Sequence, residues 1–371
     1  MRSRLELLTL GRLIEYIRPL AKEVYIYIRY KTMKRKLYRL KAGSLSNMKL
    51  IEENLPTPKA NEVTVRVKSI GLNFADIFCI WGLYPAAPKV DLVPGLEYSG
   101  EIVAVGSEVK DRKVGEQIMG VTRFGAYATH LNIDERYVLP LPDGWNHEEG
   151  AAYLVQALTA YYGLIPLGGL QENSTVLIQS AAGGVGILAN RIAKKYKAYT
   201  IGAVGRVEKV DFLQAHENYD QVIVRDRHFK QKLTKSLGGR ELNLVMDSIG
   251  GNYFKWSYEP LAPMGRVVVS GSASYANPGN LRNYLRMLWH YLSRSKVDIQ
   301  NMPGENKSIM GFNLIWLYER VELMREILSE LESLNLQKPH VGHRFKFEEL
   351  KDAILLFQTG KTVGKVVVNV V

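Results

Sequence analysis

Ser174-Thr-Val-Leu-Ile-Gln-Ser-Ala-Ala-Gly-Gly-Val-Gly186 is the stretch that decides how this chain folds. Thr175 to Gln179 is a short, apolar, β-branched run, suited to a strand buried on both faces of a parallel sheet. A glycine-rich turn follows, and then Ile187, Leu188, Ala189, Ile192 and Ala193 recur at helical spacing. Strand, glycine turn and helix in that order form the context that a dinucleotide fingerprint requires. Glycine lets the backbone turn tightly and lie against a pyrophosphate, and the helix N-terminus offers free N–H groups and a positive dipole end. The pattern departs from G-x-G-x-x-G at one place, where Ala181 stands at the first glycine position ahead of Gly183 and Gly186. Ala182, Gly183, Gly184, Val185 and Gly186 are therefore the expected cradle, against the plainer alternative of a simple turn.

The next strand weighs against that alternative. Tyr199 to Val204 reads as a second buried strand and ends in Gly205-Arg206. A site selective for NAD places Asp or Glu there, about 20 residues past the glycines, to hold the ribose 2′-hydroxyl. This tip has no acid, and Arg206 and Lys209 are close by, with Arg225 at the end of the following short strand. Cations in those places suit a 2′-phosphate, so the expected cofactor is NADPH.

A chain of 371 residues has room for two domains, and 46% hydrophobic with 23% charged residues is ordinary for a globular enzyme. The single cysteine, Cys79, lies in an apolar run and reads as a buried small hydrophobe. No unbroken apolar stretch reaches the roughly 18 residues of a membrane-spanning helix.

The net charge of +12 is unevenly placed: residues 1–41 hold twelve Lys and Arg against three Glu. The basic character thus belongs to an N-terminal extension, set at residues 1–36, more than to the body. Leu10, Ile14, Ile17, Ala21, Val24 and Ile28 make one apolar helical face in it, and Lys31 to Lys36 adds a positive cluster. Three readings stand open: peripheral contact with an anionic membrane, a cover for an apolar patch of the body or of a partner subunit, and a targeting peptide. No RNA-binding motif accompanies the segment, and no nucleic-acid partner is expected.

Further on, Glu62 to Lys68 alternates as a half-buried strand, and Ser99 to Val105 is an apolar strand turned by Gly106. Short strands with turn residues every ten or so positions indicate a β-rich module. Asn146 to Glu149 is a capping-box opening for a helix. Leu242 to Asp247 and Arg266 to Ser270 read as two more strands, and Glu319 to Leu334 as an amphipathic core helix. Between Ser274 and Met302 lies a segment rich in large apolar residues with Arg282, Arg286, Arg294 and Lys296 interleaved. It reads as a helical insertion, open to three uses: a cap on the cleft, an interface, or membrane contact.

Pro94-Gly-Leu-Glu-Tyr-Ser-Gly100, Leu158-Thr-Ala-Tyr161 and Ala181-Ala-Gly-Gly-Val-Gly186 together resemble the medium-chain dehydrogenase/reductase superfamily, and within it the zinc-free, zeta-crystallin-like quinone oxidoreductases. Glu305 to Leu314, Lys338-Pro-His340 and Gly360 to Val366 are similar to the branch that includes the vesicle amine transport protein. The resemblance spans about residues 37 to 371. It implies a doubly wound Rossmann sheet at residues 156–304, inserted into a β-rich, GroES-like catalytic domain made of 37–155 and 305–371. It also implies an active site in the cleft between them, and dimers.

By the same resemblance Thr159, Lys209, Gly271, Phe312 and Lys365 join the cofactor site, with Asn73 on the nicotinamide side and Tyr84 lining the active site. A second tyrosine of the family, six residues before Tyr84, is replaced by Phe78, which points to a more apolar substrate. The zinc ligands of related alcohol dehydrogenases would fall at Asn73 and Leu96, and the seven histidines show no metal-binding helix pattern, so no metal is expected. Without a Lewis acid the acceptor must already be electrophilic, a quinone or a carbonyl conjugated to C=C. The expected activity is an NADPH-dependent, zinc-independent reductase in the cytoplasm. The rival is a membrane- or lipid-associated nucleotide-binding protein with weak turnover.

Overall fold

The computed structural model describes residues 33–275, 284–292 and 294–370. The helix expected over Leu10 to Ile28, and with it the open readings of the extension, lies outside them.

The described chain enters on β1 (Lys34–Leu40) and returns as β2 (Met48–Asn54), an antiparallel pair. Lys34, Arg35 and Lys36, read from the sequence as part of a cationic cluster in the extension, face Asn54, Glu53 and Glu52 across this ladder. Arg35 pairs with Glu53 at 2.7 Å and Lys34 with Glu52 at 2.9 Å, which favours this register over any that leaves the cations stacked. Leu37 and Leu40 are fully buried beneath the pair, so among the described residues regular structure starts at Lys34, ahead of the boundary expected at residue 37.

β3 (Glu62–Gly71), helix α1 (Phe74–Trp81), β4 (Glu97–Val105), β5 (Gln117–Val121), β6 (His130–Asp134) and β7 (Val138–Pro140) follow. In β3 Val63, Val65 and Val67 are buried and Arg66 is exposed, but the alternation is incomplete because Thr64 is buried too, donating its hydroxyl to Asn132 Oδ1 of β6 at 2.7 Å. A short helix opens where the capping box predicted it: Glu149 N–H donates to Asn146 Oδ1 at 2.9 Å, and Asn146 N–H to Glu149 Oε2 at 2.8 Å. Helix α2 (Leu154–Tyr162) then leads into an alternating series: β8 (Thr175–Gln179), α3 (Gly184–Lys195), β9 (Tyr199–Val204), α4 (Val210–His216), β10 (Gln221–Val224), α5 (Phe229–Leu237), β11 (Leu242–Asp247), α6 (Gly251–Tyr258) and β12 (Leu261–Val269). After α7 (Tyr284–Leu292) the chain adds β13 (Ser308–Gly311), α8 (Val321–Ser333), β14 (Val341–Lys346), α9 (Leu350–Gln358) and β15 (Lys365–Asn369).

Two sheets result. One runs β10-β9-β8-β11-β12-β13, with every neighbouring pair parallel. Its halves diverge from β8 and β11, and the crevice outside their C-terminal ends is where ligands bind in doubly wound folds. The other sheet runs β14-β15-β3-β4-β5-β7 with β6 beside β3, so residues from both chain ends build it. One expectation fails at this junction. Ser308–Gly311 pairs with Arg266–Val269 and is the sixth strand of the parallel sheet, although residues from 305 onward were placed with the catalytic part.

Burial follows the sheet faces. Val176 and Ile178 of β8 pack with Leu158 and Leu188 from α2 and α3, while Leu177 points to the other face among Phe229 and Leu233 of α5. The first cluster also takes in Met119 and Val121 of β5 and Met324, Ile327 and Leu331 of α8, joining the two sheets through one core. Cys79 is buried, as its apolar neighbours suggested. α7 instead exposes apolar side chains, with Leu285 82% and Trp289 66% accessible. Among the described residues no helix is long and apolar enough to cross a membrane.

Candidate active site

A cavity of about 780 Å³ opens at the C-terminal edge of the parallel sheet, walled by residues of both sheets. Its floor is the turn after β8. Ser180 takes a φ of +54°, a left-handed conformation that bends the chain sharply off the strand. Gly186 lies so close to this bend that a Cβ on it would sit 2.5 Å from the Ser180 carbonyl oxygen and 2.7 Å from Ala181 Cα. Only glycine lets α3 start there. Gly183 caps the helix in extended backbone, and Tyr219 donates its hydroxyl to the Gly186 carbonyl at 2.8 Å. Ala181 is accommodated by its neighbour strand: Gly202 lacks the Cβ that would lie 3.0 Å from the Ala181 methyl. The Ala182 carbonyl accepts from Gly364 N–H at 2.8 Å, which pins the loop before β15 onto the turn.

At the tip of β9, Gly205, Lys209 and Arg225 border the cavity, as expected. Arg206 is exposed and stands outside the wall, near enough to Lys209 for its charge to act on that lysine. Arg225 is held by Gln179, to whose Oε1 it donates at 3.1 Å, and lies 5.7 Å above the Tyr253 ring. Burial lowers its pKa to about 10. Lys209 donates to the Thr362 carbonyl at 2.6 Å. Its pKa is pushed down to about 8, first by burial and then by the positive charges of Arg225 and Arg206. Asp247, to which no chemistry was assigned, accepts from the Ile249 and Gly250 N–H groups and so stiffens the turn after β11.

At the other end of the turn a buried polar network faces the cavity. Lys365 is 3% exposed and pairs with Glu97, which is fully buried, at 2.6 Å. Burial lowers the lysine pKa and Glu97 opposes that shift. Asn73 has every side-chain group engaged: its Oδ1 accepts from Lys365 at 2.9 Å and from Gln156 at 2.7 Å. Its Nδ2 donates to the Gly71 carbonyl at 3.2 Å and to Glu97 at 3.3 Å. Asp76, one turn on, accepts from Asn73 N–H at 2.8 Å and the Tyr127 hydroxyl at 2.9 Å; burial raises its pKa to about 6.

Thr159, Gly271, Phe312 and Tyr84 complete the cavity wall among the expected residues. Thr159 donates its hydroxyl back to the Val155 carbonyl at 2.6 Å, leaving lone pairs toward the cleft. Tyr84 donates to Asn313 Oδ1 at 2.7 Å, and burial raises its pKa. Phe78 does not border the cavity; it packs edge-on against Phe74, which does. Gln156 and Glu97 received no role from the sequence. Their signal was present in Glu97, an acid inside an apolar strand, and in Lys365 at the head of a valine run. Each is a buried charge that needs the other.

Comparison with known proteins agrees with this architecture. The model of the alcohol dehydrogenase GroES-like domain matches residues 59–143, and that of the zinc-binding dehydrogenase matches residues 218–368. The human synaptic vesicle membrane protein VAT-1 homolog is 31% identical over 314 residues, covering 84% of this chain and 79% of that one. A quinone oxidoreductase of Pseudomonas aeruginosa is 33% identical over 272 residues, covering 73% and 83%. The Escherichia coli quinone oxidoreductase complexed with NADPH superposes with a TM-score of 0.78 at 26% identity, covering 90% of this chain and 99% of that one. The chain belongs to the medium-chain dehydrogenase/reductase superfamily, in its quinone oxidoreductase-like group and on the branch of the VAT-1 homologues. NADP(H) binding is a property of that family, as the complex of the Escherichia coli enzyme illustrates.

Proposed function

We propose that this protein is an NADPH-dependent, zinc-independent reductase of quinones or other conjugated carbonyls. The observation that carries the reading is the pair of cations, Lys209 and Arg225, beside the glycine turn at a strand tip without a carboxylate. The turn suits a pyrophosphate, the cations a 2′-phosphate, and the remaining cleft the nicotinamide. The nicotinamide, when bound, supplies the hydride. The protein's own part is to position and to exclude water, with Phe74, Leu96, Phe312 and Leu317 giving the cleft apolar walls. Tyr84 lines the cleft, and its hydroxyl, turned from Asn313, is the donor this reading assigns to charge on an acceptor oxygen.

The residues present do not fit a catalytic zinc. Asn73 has no free lone pair or N–H, Leu96 is apolar, and among the described residues no group of three or more His, Cys, Asp or Glu is placed to hold a metal. Steady-state NADPH oxidation with a panel of quinones and enones tests the proposal, and absence of turnover across the panel refutes it. A cytoplasmic homodimer is the assembly this reading carries, checked by light scattering.

The exposed apolar face of α7 favours the second reading, a nucleotide-binding protein associated with membranes and turning over weakly. The human VAT-1 homologue, named a synaptic vesicle membrane protein, adds to it. Flotation with anionic liposomes, lost on deleting residues 1–32, together with NADPH binding without turnover, would favour it. The deletion stops at residue 32 because Lys34 already belongs to β1.

A further inference from the structure

Where it borders the cavity, the network beside the glycine turn leaves one polar atom without a partner. Gln156 is 3% exposed and borders the cavity, yet its Oε1 has no hydrogen-bond donor. A buried acceptor in that state costs its desolvation penalty, and one that borders a cavity can recover it from a donor that enters there.

The orientation of the amide follows from its neighbours. An ammonium only donates and a carboxylate only accepts. Lys365 therefore fixes Asn73 Oδ1 as the atom facing it, at 2.9 Å. Asn73 Nδ2 is then turned to Glu97 and the Gly71 carbonyl. What Gln156 meets at this network is two acceptors, Asn73 Oδ1 at 2.7 Å and Glu97 Oε2 at 3.3 Å, so Nε2 must point inward. Its Oε1 is left facing away from the network as an obligatory acceptor. The charge pair thus sets the direction of two successive amides.

The position of that acceptor is also defined. A Cβ placed on Gly184 would lie 2.9 Å from Gln156 Cγ and 3.8 Å from Oε1, so the amide abuts the glycine turn. Lys209 and Arg225 lie just past the ends of β9 and β10, on the adenosine side of the dinucleotide reading. Gln156 is on the opposite side of the turn, next to Asn73 and within one helical turn of Thr159.

We propose that Gln156 is a cofactor-binding residue whose Oε1 accepts a hydrogen bond from an O–H or N–H donor on the nicotinamide-side half of the dinucleotide. Glu97 and Lys365 set the direction of that acceptor through Asn73, as positioning residues for it. The inference rests on the dinucleotide reading of the pocket. Two donors on that half fit, a ribose hydroxyl and the carboxamide N–H; a phosphate oxygen does not, because it brings a second acceptor.

The test is calorimetric titration of the wild-type chain and of Gln156→Met with three probes. These are NADPH, the same molecule without its nicotinamide ring (2′-phospho-ADP-ribose), and the molecule cut after its pyrophosphate (2′-phospho-ADP). Gln156→Leu is made in parallel in case the methionine chain does not fold. The expected result is an NADPH affinity lowered about fivefold, the size of one neutral hydrogen bond, with the affinity for 2′-phospho-ADP unchanged. A loss shared by 2′-phospho-ADP-ribose assigns the donor to the ribose, and a loss confined to NADPH assigns it to the carboxamide. Equal weakening of all three probes, or of none, overturns the proposal. A wild-type chain that binds none of the three fails the dinucleotide reading itself, a result distinct from either.

Discussion

Lys209 is the residue on which the cofactor preference can be tested most sharply, because its charge titrates near working pH. Its pKa of about 8 arises from burial and from Arg225 and Arg206. A 2′-phosphate is already a dianion above pH 7, since its second pKa is about 6. Binding that dianion favours the protonated lysine, so proton uptake accompanies NADPH binding wherever the free lysine is neutral. With a free pKa of about 8 the lysine is roughly nine-tenths charged at pH 7 and roughly one-tenth charged at pH 9. NADPH affinity should therefore fall about tenfold from pH 7 to pH 9, while NADH affinity, with no phosphate there, stays flat. Isothermal titration of both nucleotides at pH 7, 8 and 9 reads the ratio directly. Lys209→Met removes a charge-assisted contact, which corresponds to about 10- to 100-fold in NADPH affinity, and it should abolish the pH slope. A flat NADPH profile in the wild type, or a slope that survives in Lys209→Met, would refute the reasoning.

Lys365→Met leaves the Glu97 carboxylate buried without its cation and should lower stability by about 3–5 kcal/mol in urea unfolding; adding Glu97→Gln should restore much of the loss. Gly186→Ala drives a methyl into the backbone of Ser180 and Ala181, so a cost of about 1–3 kcal/mol and loss of nucleotide binding are expected. Gly183→Ala, whose Cβ would meet only Ser180 O at 3.3 Å, should be milder on both counts. Asp76 has a folded-state pKa raised from 3.8 to about 6, so the native state holds its proton longer than the unfolded chain does. Its contribution to stability is thus fullest below pH 4 and is lost as pH rises to 6. Measured against Asp76→Asn, the wild type should lose up to about 3 kcal/mol across that window, and a constant difference would contradict the assignment.

The parallel sheet was legible where signals were local. β8, β9 and β11 lie where the apolar runs Thr175 to Gln179, Tyr199 to Val204 and Leu242 to Asp247 place them, each bounded by turn residues. β13 was not, because Ser308-Ile-Met-Gly311 carries no alternation and becomes a strand only by pairing with β12. β1 was hidden for a related reason. Its lysines and arginines read as a surface cluster until Glu52 and Glu53 are laid across from them, a matter of register and not of composition. At the site, the glycine cradle and the cations were readable from residue type and order. The amide network was unreadable in a stronger sense: Asn73, Glu97, Gln156 and Lys365 are spread over almost the whole described chain and acquire direction only when the lysine meets the carboxylate.

That spread has a consequence for how the protein is made. β3 is finished by Gly71, but the strand that pairs with Ser69–Gly71 begins at Lys365. At a ribosomal rate of roughly 5–20 residues per second, the wait is on the order of 15–60 seconds. Through that interval the nascent chain carries an open strand edge, and the lysine that neutralises Glu97 has not been synthesised. NADPH added to a translating ribosome should therefore gain no protection from protease until the last strand has left the exit tunnel.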